Sequence, residues 1–269
     1  MQLSIAHAEL HVVEPPIQGS EGNPSLLFIH GAGGDASVWD DQATYFLGRH
    51  PVYRLDLPGH GGSGPSGEED IGAYARWVRL VAERLFSSRP YVLVGHSMGG
   101  AVVLQLAVEP PSGMVGVVLV ATAAKLAATR AVFHMLREDP EAFFEITEEY
   151  AFSSSTSREV RERVGAVIRR YPTSVITRDL KACDGFDIRD QLGHARVPAL
   201  IICGTDDQLT PVKSSRHLHK SIPHSRLVLI PHAGHMVMAE QPAPVNQAIE
   251  QFLHDLGTGS EKGNRKMIT

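Results

Sequence analysis

The chain has 269 residues, of which 43% are hydrophobic and 20% charged, with a formal net charge of -5. That length suits one large α/β domain with room for an insertion, and the mild acidity gives no reason to expect nucleic acid or an anionic membrane as a partner. Two cysteines, Cys183 and Cys203, are too few for a disulfide framework or a cysteine metal site, and the fourteen histidines follow no metal-ligating spacing.

In chain order, residues 3–13 alternate loosely and predict one or two short strands at a sheet edge. The N-terminus has no basic region followed by a long apolar core. Neither a secretion signal nor a spanning segment is therefore expected, and the cytoplasm is the default location. A Pro/Gly loop over residues 14–24 leads into Ser25-Leu26-Leu27-Phe28-Ile29-His30, an apolar run typical of a strand covered on both faces. Gly31-Ala32-Gly33-Gly34-Asp35 reads as a flexible loop. A strand over 52–55 precedes the turn Asp56-Leu57-Pro58-Gly59-His60-Gly61. Over 71–86, Ile71, Tyr74, Trp77, Val78, Val81 and Leu85 fall at helical spacing. Strands are predicted over 91–94 and 115–120.

Composition then shifts. Between about 122 and 183 no β-branched run occurs, and four amphipathic segments predict helices over 129–137, 141–152, 158–170 and 173–183. Strand and helix signals then alternate again: 199–203, 211–220, 226–230 and 243–256. Residues 257–269 are polar and glycine-rich and predict a flexible tail. The pattern implies a mostly parallel sheet flanked by helices. Its core is expected over 1–121 and 186–256, with 122–185 a helical cap inserted over the carboxyl ends of the strands.

The chemistry concentrates at Gly95-His96-Ser97-Met98-Gly99, between the 91–94 strand and an apolar run over 101–108 that predicts a helix. Gly-x-Ser-x-Gly at such a junction is the pattern of a nucleophile elbow. A turn this sharp strains the central residue, and Gly95 and Gly99 let strand and helix approach closely. Ser97 Oγ is then pushed out above the sheet, and the Met98 N–H points where an oxyanion could sit. A serine hydroxyl needs a general base, and the base needs an orienting partner. Two later loops offer both. Asp206 and Asp207 follow the 199–203 strand, and His232 and His235 follow the 226–230 strand. Both loops fall at the sheet edge that carries Ser97.

These motifs resemble the α/β-hydrolase fold superfamily over roughly residues 20–256. The match lies in His30-Gly31 with its glycine-rich loop and Trp39, the Asp56-to-Gly61 turn, the Ser97 elbow, and the acid and histidine loops in the order Ser, Asp, His. The family's Gly-x-x-Asp-x-x-x-Pro pattern, here Gly204 to Pro211, selects Asp207 and leaves Asp206 as a solvated neighbour. Its Gly-His followed by Glu-x-Pro, here Gly234-His235 and Glu240-Gln241-Pro242, selects His235. The resemblance implies a Ser97, His235 and Asp207 triad, with the Ala32 and Met98 N–H groups as oxyanion hole. Each such donor is worth roughly 3 kcal/mol. His30 is expected to brace the oxyanion loop, and His96 and His60 to be structural. Arg130, Arg137, Arg169, Arg170 and Arg178 read as solvated faces of the cap.

The activity so implied is hydrolysis of a small ester or thioester through an acyl-enzyme, with no metal or organic cofactor and with the protein a monomer or homodimer. Carbon–carbon bond hydrolases, lactonases and perhydrolases share the triad. Dehalogenases and epoxide hydrolases use Asp where Ser97 stands. Proline iminopeptidases usually carry Trp at the position of Met98. A small-ligand receptor on the same fold is the non-enzymatic alternative, against which the complete triad argues.

Overall fold

The computed structural model describes residues 1–6, 8–15, 22–64 and 66–264. Eight strands form the sheet: β1 (Gln2–Ile5), β2 (Ala8–Val13), β3 (Ser25–Ile29), β4 (Val52–Leu55), β5 (Tyr91–His96), β6 (Met114–Val120), β7 (Ala199–Gly204) and β8 (Ser225–Ile230). Their order is β1-β2-β4-β3-β5-β6-β7-β8. The two edge pairings, β1 with β2 and β2 with β4, are antiparallel, and all others are parallel.

The continuous apolar runs of β3, β5 and β7 are buried throughout, because both faces of the sheet are covered. Side chains alternate between two core layers. Leu27, Ile29, Leu93, Val117, Leu119 and Ile201 face one layer, and Leu26, Phe28, Val92, Val94, Val118 and Ile202 face the other. The first layer is covered by α2 (Ile71–Phe86), α3 (Met98–Val108) and α8 (Val212–Ser221). The second is covered by α1 (Asp40–Phe46) and α10 (Pro242–Asn264). A short α9 (Val237–Glu240) precedes the last helix.

Four helices fill the excursion between β6 and β7: α4 (Arg130–Glu138), α5 (Pro140–Ala151), α6 (Arg158–Ile168) and α7 (Thr173–Asp184). Their starts are set by local chemistry. Thr129, Asp139 and Ser157 each accept a backbone N–H of the first turn, and Pro140 opens α5. The two stems of the excursion are tied together where they leave the sheet. Leu126 N–H donates to Phe186 O at 3.3 Å and Ile188 N–H to Ala124 O at 2.9 Å.

Three expectations need correction. The last helix runs to Asn264 rather than ending near 256, so the stretch expected as a flexible tail is helical that far. Gly257 and Gly259 weaken a helix by about 1 kcal/mol each, but each added residue also gains a backbone hydrogen bond once the helix is nucleated. Residues 265–269 lie outside the described residues, as do 16–21 of the expected Pro/Gly loop. Second, α3 starts at Met98, before the apolar run, because Gly99 and Gly100 are needed there for close packing. Third, the 31–35 loop expected to be flexible is held by several buried hydrogen bonds, described below.

β3 is the point where the strand order turns: β4 lies on one side of it and β5 on the other. In open parallel sheets the crevice at such a switch point is where ligands bind. The loops after β3 and β5 leave the sheet there, and both carry expected site residues.

Candidate active site

Ser97 joins β5 to α3 with φ 52 and ψ -116, a left-handed conformation that is strained for a residue with a Cβ. The backbone is pinned on both sides. Ser97 N–H donates to Val120 O at 3.0 Å, and its carbonyl accepts from Ala101 N–H at 3.0 Å and from the Thr122 hydroxyl at 2.8 Å. The glycines are required by contact. A Cβ on Gly95 would lie 2.3 Å from Gly99 O, and one on Gly99 would lie 2.4 Å from His30 O.

The loop after β3 presses against this elbow: a Cβ on Gly31 would lie 3.1 Å from Ser97 Cβ. Its carbonyl is held twice, by His30 Nδ1 at 2.8 Å and by Gly34 N–H at 3.1 Å. In a trans peptide the N–H points opposite to the carbonyl, so the Ala32 N–H is turned away from those partners. Among the described residues neither the Ala32 nor the Met98 N–H has a protein acceptor. Met98 is the first residue of α3, where backbone donors are left over.

His30 therefore does brace the loop. Its Nδ1 donates to Gly31 O while Nε2 accepts the Leu57 N–H at 3.0 Å, which requires a neutral ring. Burial, with the charge of nearby His60, keeps it neutral by lowering its pKa to about 4. His96 is also neutral. It donates Nε2–H to His235 O at 3.0 Å, and burial together with His235 lowers its pKa to about 3.

Asp207 and His235 leave β7 and β8 on loops that touch. A Cβ on Gly204 would lie 2.2 Å from Ala233 O. His235 Nδ1 lies 3.0 Å from Asp207 Oδ2 and 3.1 Å from Oδ1. Asp207 Oδ1 also accepts N–H groups of Leu209 (2.9 Å) and Thr210 (2.8 Å), and Oδ2 accepts the Thr210 hydroxyl at 2.8 Å. Burial works to raise this carboxyl's pKa, but His235 and the Thr210 donors outweigh it and hold the pKa below the usual range. The structure thus brings the acid and the histidine together as the motifs imply. His232 sits apart, exposed and at φ 55. The Ser97 hydroxyl carries no hydrogen bond to His235 or to any other described residue. It is joined to that loop through the backbone, by the adjacent His96 bond to His235 O.

Sequence reasoning missed how the helices inserted between β6 and β7, where a cap is expected, hold these loops. Asp206 is not merely a solvated neighbour. Its Oδ2 accepts the Ser153 hydroxyl of the α5–α6 link at 2.6 Å, and this bond leads in lowering its pKa. The His235 and Met236 N–H groups donate to Ala151 O at 2.8 and 3.2 Å. Glu240 accepts Gly234 N–H (2.9 Å), Ser153 N–H (2.8 Å) and the Thr156 hydroxyl. At the other end of the cap, the Tyr171 hydroxyl donates to Asp35 at 3.0 Å and accepts the Gly61 N–H at 2.9 Å. Asp179 of α7 accepts Gly33 N–H at 2.8 Å. One signal could have found Asp179: it lies on the buried stripe of α7 with Ile176, Ala182 and Cys183, where a carboxyl is out of place unless paired. Of the cap arginines, Arg169, Arg170 and Arg178 pair with Glu141, Asp35 and Glu69.

The strained serine between strand and helix, the two acceptor-free backbone N–H groups and the buried Asp–His pair all stand at the ends of neighbouring sheet strands. The chain belongs to the alpha/beta hydrolase family, whose model matches residues 26–248. A solved structure described as a thermophilic esterase is 31% identical, covering 96% of this chain and 98% of its own, with a TM-score of 0.84. The pimeloyl-[acyl-carrier protein] methyl ester esterase of Nitrosomonas europaea is 28% identical over 254 residues, 88% of this chain and 96% of that protein. The 2-succinyl-6-hydroxy-2,4-cyclohexadiene-1-carboxylate synthase of Salmonella newport is 29% identical over 261 residues, 91% and 98% of the two chains. No described helix is long and apolar enough to cross a membrane.

Proposed function

We propose that the protein is a serine hydrolase that cleaves carboxylic esters of small molecules through an acyl-enzyme. The observation that carries this reading is Ser97 at φ 52 with the acceptor-free N–H groups of Met98 and Ala32 at its side. A substrate carbonyl brought to Ser97 Oγ would turn its oxygen to those two donors. The charge that develops in the tetrahedral intermediate then meets fixed dipoles that need no reorganisation.

His235 takes the hydroxyl proton through Nε2 and returns it to the leaving alcohol. The Ser97–His235 bond is made with substrate in place, as catalytic hydrogen bonds often tighten only then. Asp207 accepts the Nδ1 proton, which fixes the tautomer and stabilises the imidazolium. Water then attacks the acyl-serine with His235 again as base. The esterase relatives support an ester as the scissile bond.

The test is turnover of a short p-nitrophenyl ester. A burst of p-nitrophenol equal to the enzyme concentration is expected wherever deacylation is the slower step, and Ser97→Ala should lower kcat about 10,000-fold or more. If Ser97→Ala hydrolyses the ester as well as the parent, the assignment to this serine is wrong.

A further inference from the structure

Asp179 stands on α7, in the cap, and is fully buried. Three donors from the core converge on it. Oδ2 receives Gly33 N–H at 2.8 Å and His60 Nε2 at 2.9 Å, and Oδ1 receives the Tyr74 hydroxyl at 2.6 Å. His60 Nδ1 lies 3.0 Å from Pro58 O, which can only accept. Both ring nitrogens therefore face oxygen acceptors, an arrangement that favours the imidazolium. Burial opposes that charge, but the hydrogen bond and charge of Asp179 outweigh it and raise the pKa.

A buried ion pair is weak evidence for stability, since packed apolar residues often serve as well. What this pair supplies is an acceptor for Gly33 N–H. That group belongs to the peptide unit immediately after Ala32. The unit before Ala32 is held from the core, through Gly31 O, by His30 and Gly34. Ala32 is thus flanked by one peptide plane fixed from the sheet and one fixed from the cap. Gly33 has φ 62 and no side chain to anchor it, so it has wide freedom once that bond is lost.

We propose that Asp179 is a positioning residue for the oxyanion hole: from the cap it fixes the Ala32–Gly33 peptide, which restricts the torsions at Ala32 and so keeps the preceding peptide, whose N–H is that of Ala32, from turning away from the reacting oxygen. This rests on the serine-hydrolase reading above. It makes the hole a joint product of core and cap, with formation of the hole dependent on α7 being seated.

The experiment compares Asp179→Ala, the double variant Asp179→Leu/His60→Leu, and Tyr74→Phe, with Ser97→Ala as blank. Active sites are counted with a fluorophosphonate, so that kcat refers to folded molecules. The double variant leaves no unpaired buried charge and keeps the readout available if Asp179→Ala fails to fold. Loss of the Gly33 acceptor should lower kcat for a p-nitrophenyl ester by about 10- to 100-fold, with KM within twofold. Affinity for a trifluoromethyl ketone, whose adduct carries the oxyanion, should fall in proportion. Tyr74→Phe removes the partner of the other carboxyl oxygen and should keep kcat within twofold, although it destabilises the fold. Parental kcat in a folded Asp179 variant overturns the proposal. So does a Tyr74→Phe loss as large as that of Asp179→Ala, which would mean general loosening. Activity retained in Ser97→Ala would instead overturn the parent reading.

Discussion

Replacing Asp207 with Asn tests the acid assignment at a single atom. Asp207 Oδ1 receives two backbone donors, the N–H groups of Leu209 and Thr210, whose positions the loop fixes. An amide oxygen must occupy that place, because an NH2 group there would face two donors. The NH2 group is then forced into the Oδ2 position, 3.0 Å from His235 Nδ1. It donates to Nδ1 and moves the ring proton to Nε2. The imidazole in that tautomer cannot accept the Ser97 proton. Wrong-tautomer variants of this kind lose about 10,000-fold in kcat, equivalent to about 5.5 kcal/mol of transition-state stabilisation. The assay is steady-state hydrolysis of a p-nitrophenyl ester, with KM expected to change little. Asp206→Asn is the matched control. It keeps an acceptor for Ser153 and should stay within a few-fold of the parent. An Asp207→Asn enzyme within tenfold of the parent, or an Asp206→Asn enzyme equally impaired, would refute the reasoning.

Two further outcomes concern stability. His30 and His96 are buried neutral, with pKa values of about 4 and about 3 against about 6.5 unfolded. Their contribution is complete above pH 6.5 and is lost as pH falls, because the unfolded chain takes up protons that the folded one refuses. Each removes about 1.4 kcal/mol per pH unit. His60 has a raised pKa and loses its contribution only as pH rises, so it does not cancel this slope. Urea midpoints should therefore drop steeply between pH 6 and 4.5, and equal midpoints at both would contradict the buried-neutral assignment. Gly99→Ala puts a Cβ 2.4 Å from His30 O and should cost about 3 kcal/mol. Gly193→Ala meets nothing within 4 Å and should leave Tm unchanged or slightly raised. Thermal melts of the two variants side by side check the contrast.

The difference between what was legible in the sequence and what was not follows contact range. Ser97 could be read because its constraint is local: glycines two residues away on each side make the turn possible. The sheet could be read because each buried strand needs its own apolar run, and the 122–185 block because such runs stop there. Asp207 and His235 could be read only as ends of strands that the family pattern places side by side. The contacts of Asp179 and Ser153, and that of Glu240 with Ser153, could not, because their partners lie far off in the chain: Gly33 for Asp179, Asp206 and Glu240 for Ser153. No short window contains both halves of such a contact. The glycines of the 31–35 loop suggest freedom, while Tyr171 and Asp179, far off in the chain, join His30 and Gly34 in removing it.

The double attachment of the cap has a consequence for anyone building chimeras in this family. Swapping the whole inserted block between two relatives would exchange Ser153, Tyr171 and Asp179 as well, and the recipient's loops would meet foreign partners. A transplant limited to α4 and the first turns of α5 would leave residues 151–179 native to their scaffold. Those helices could then be varied without disturbing the contacts that residues 151–179 make with the 31–35 loop and with Asp206, His235 and Met236.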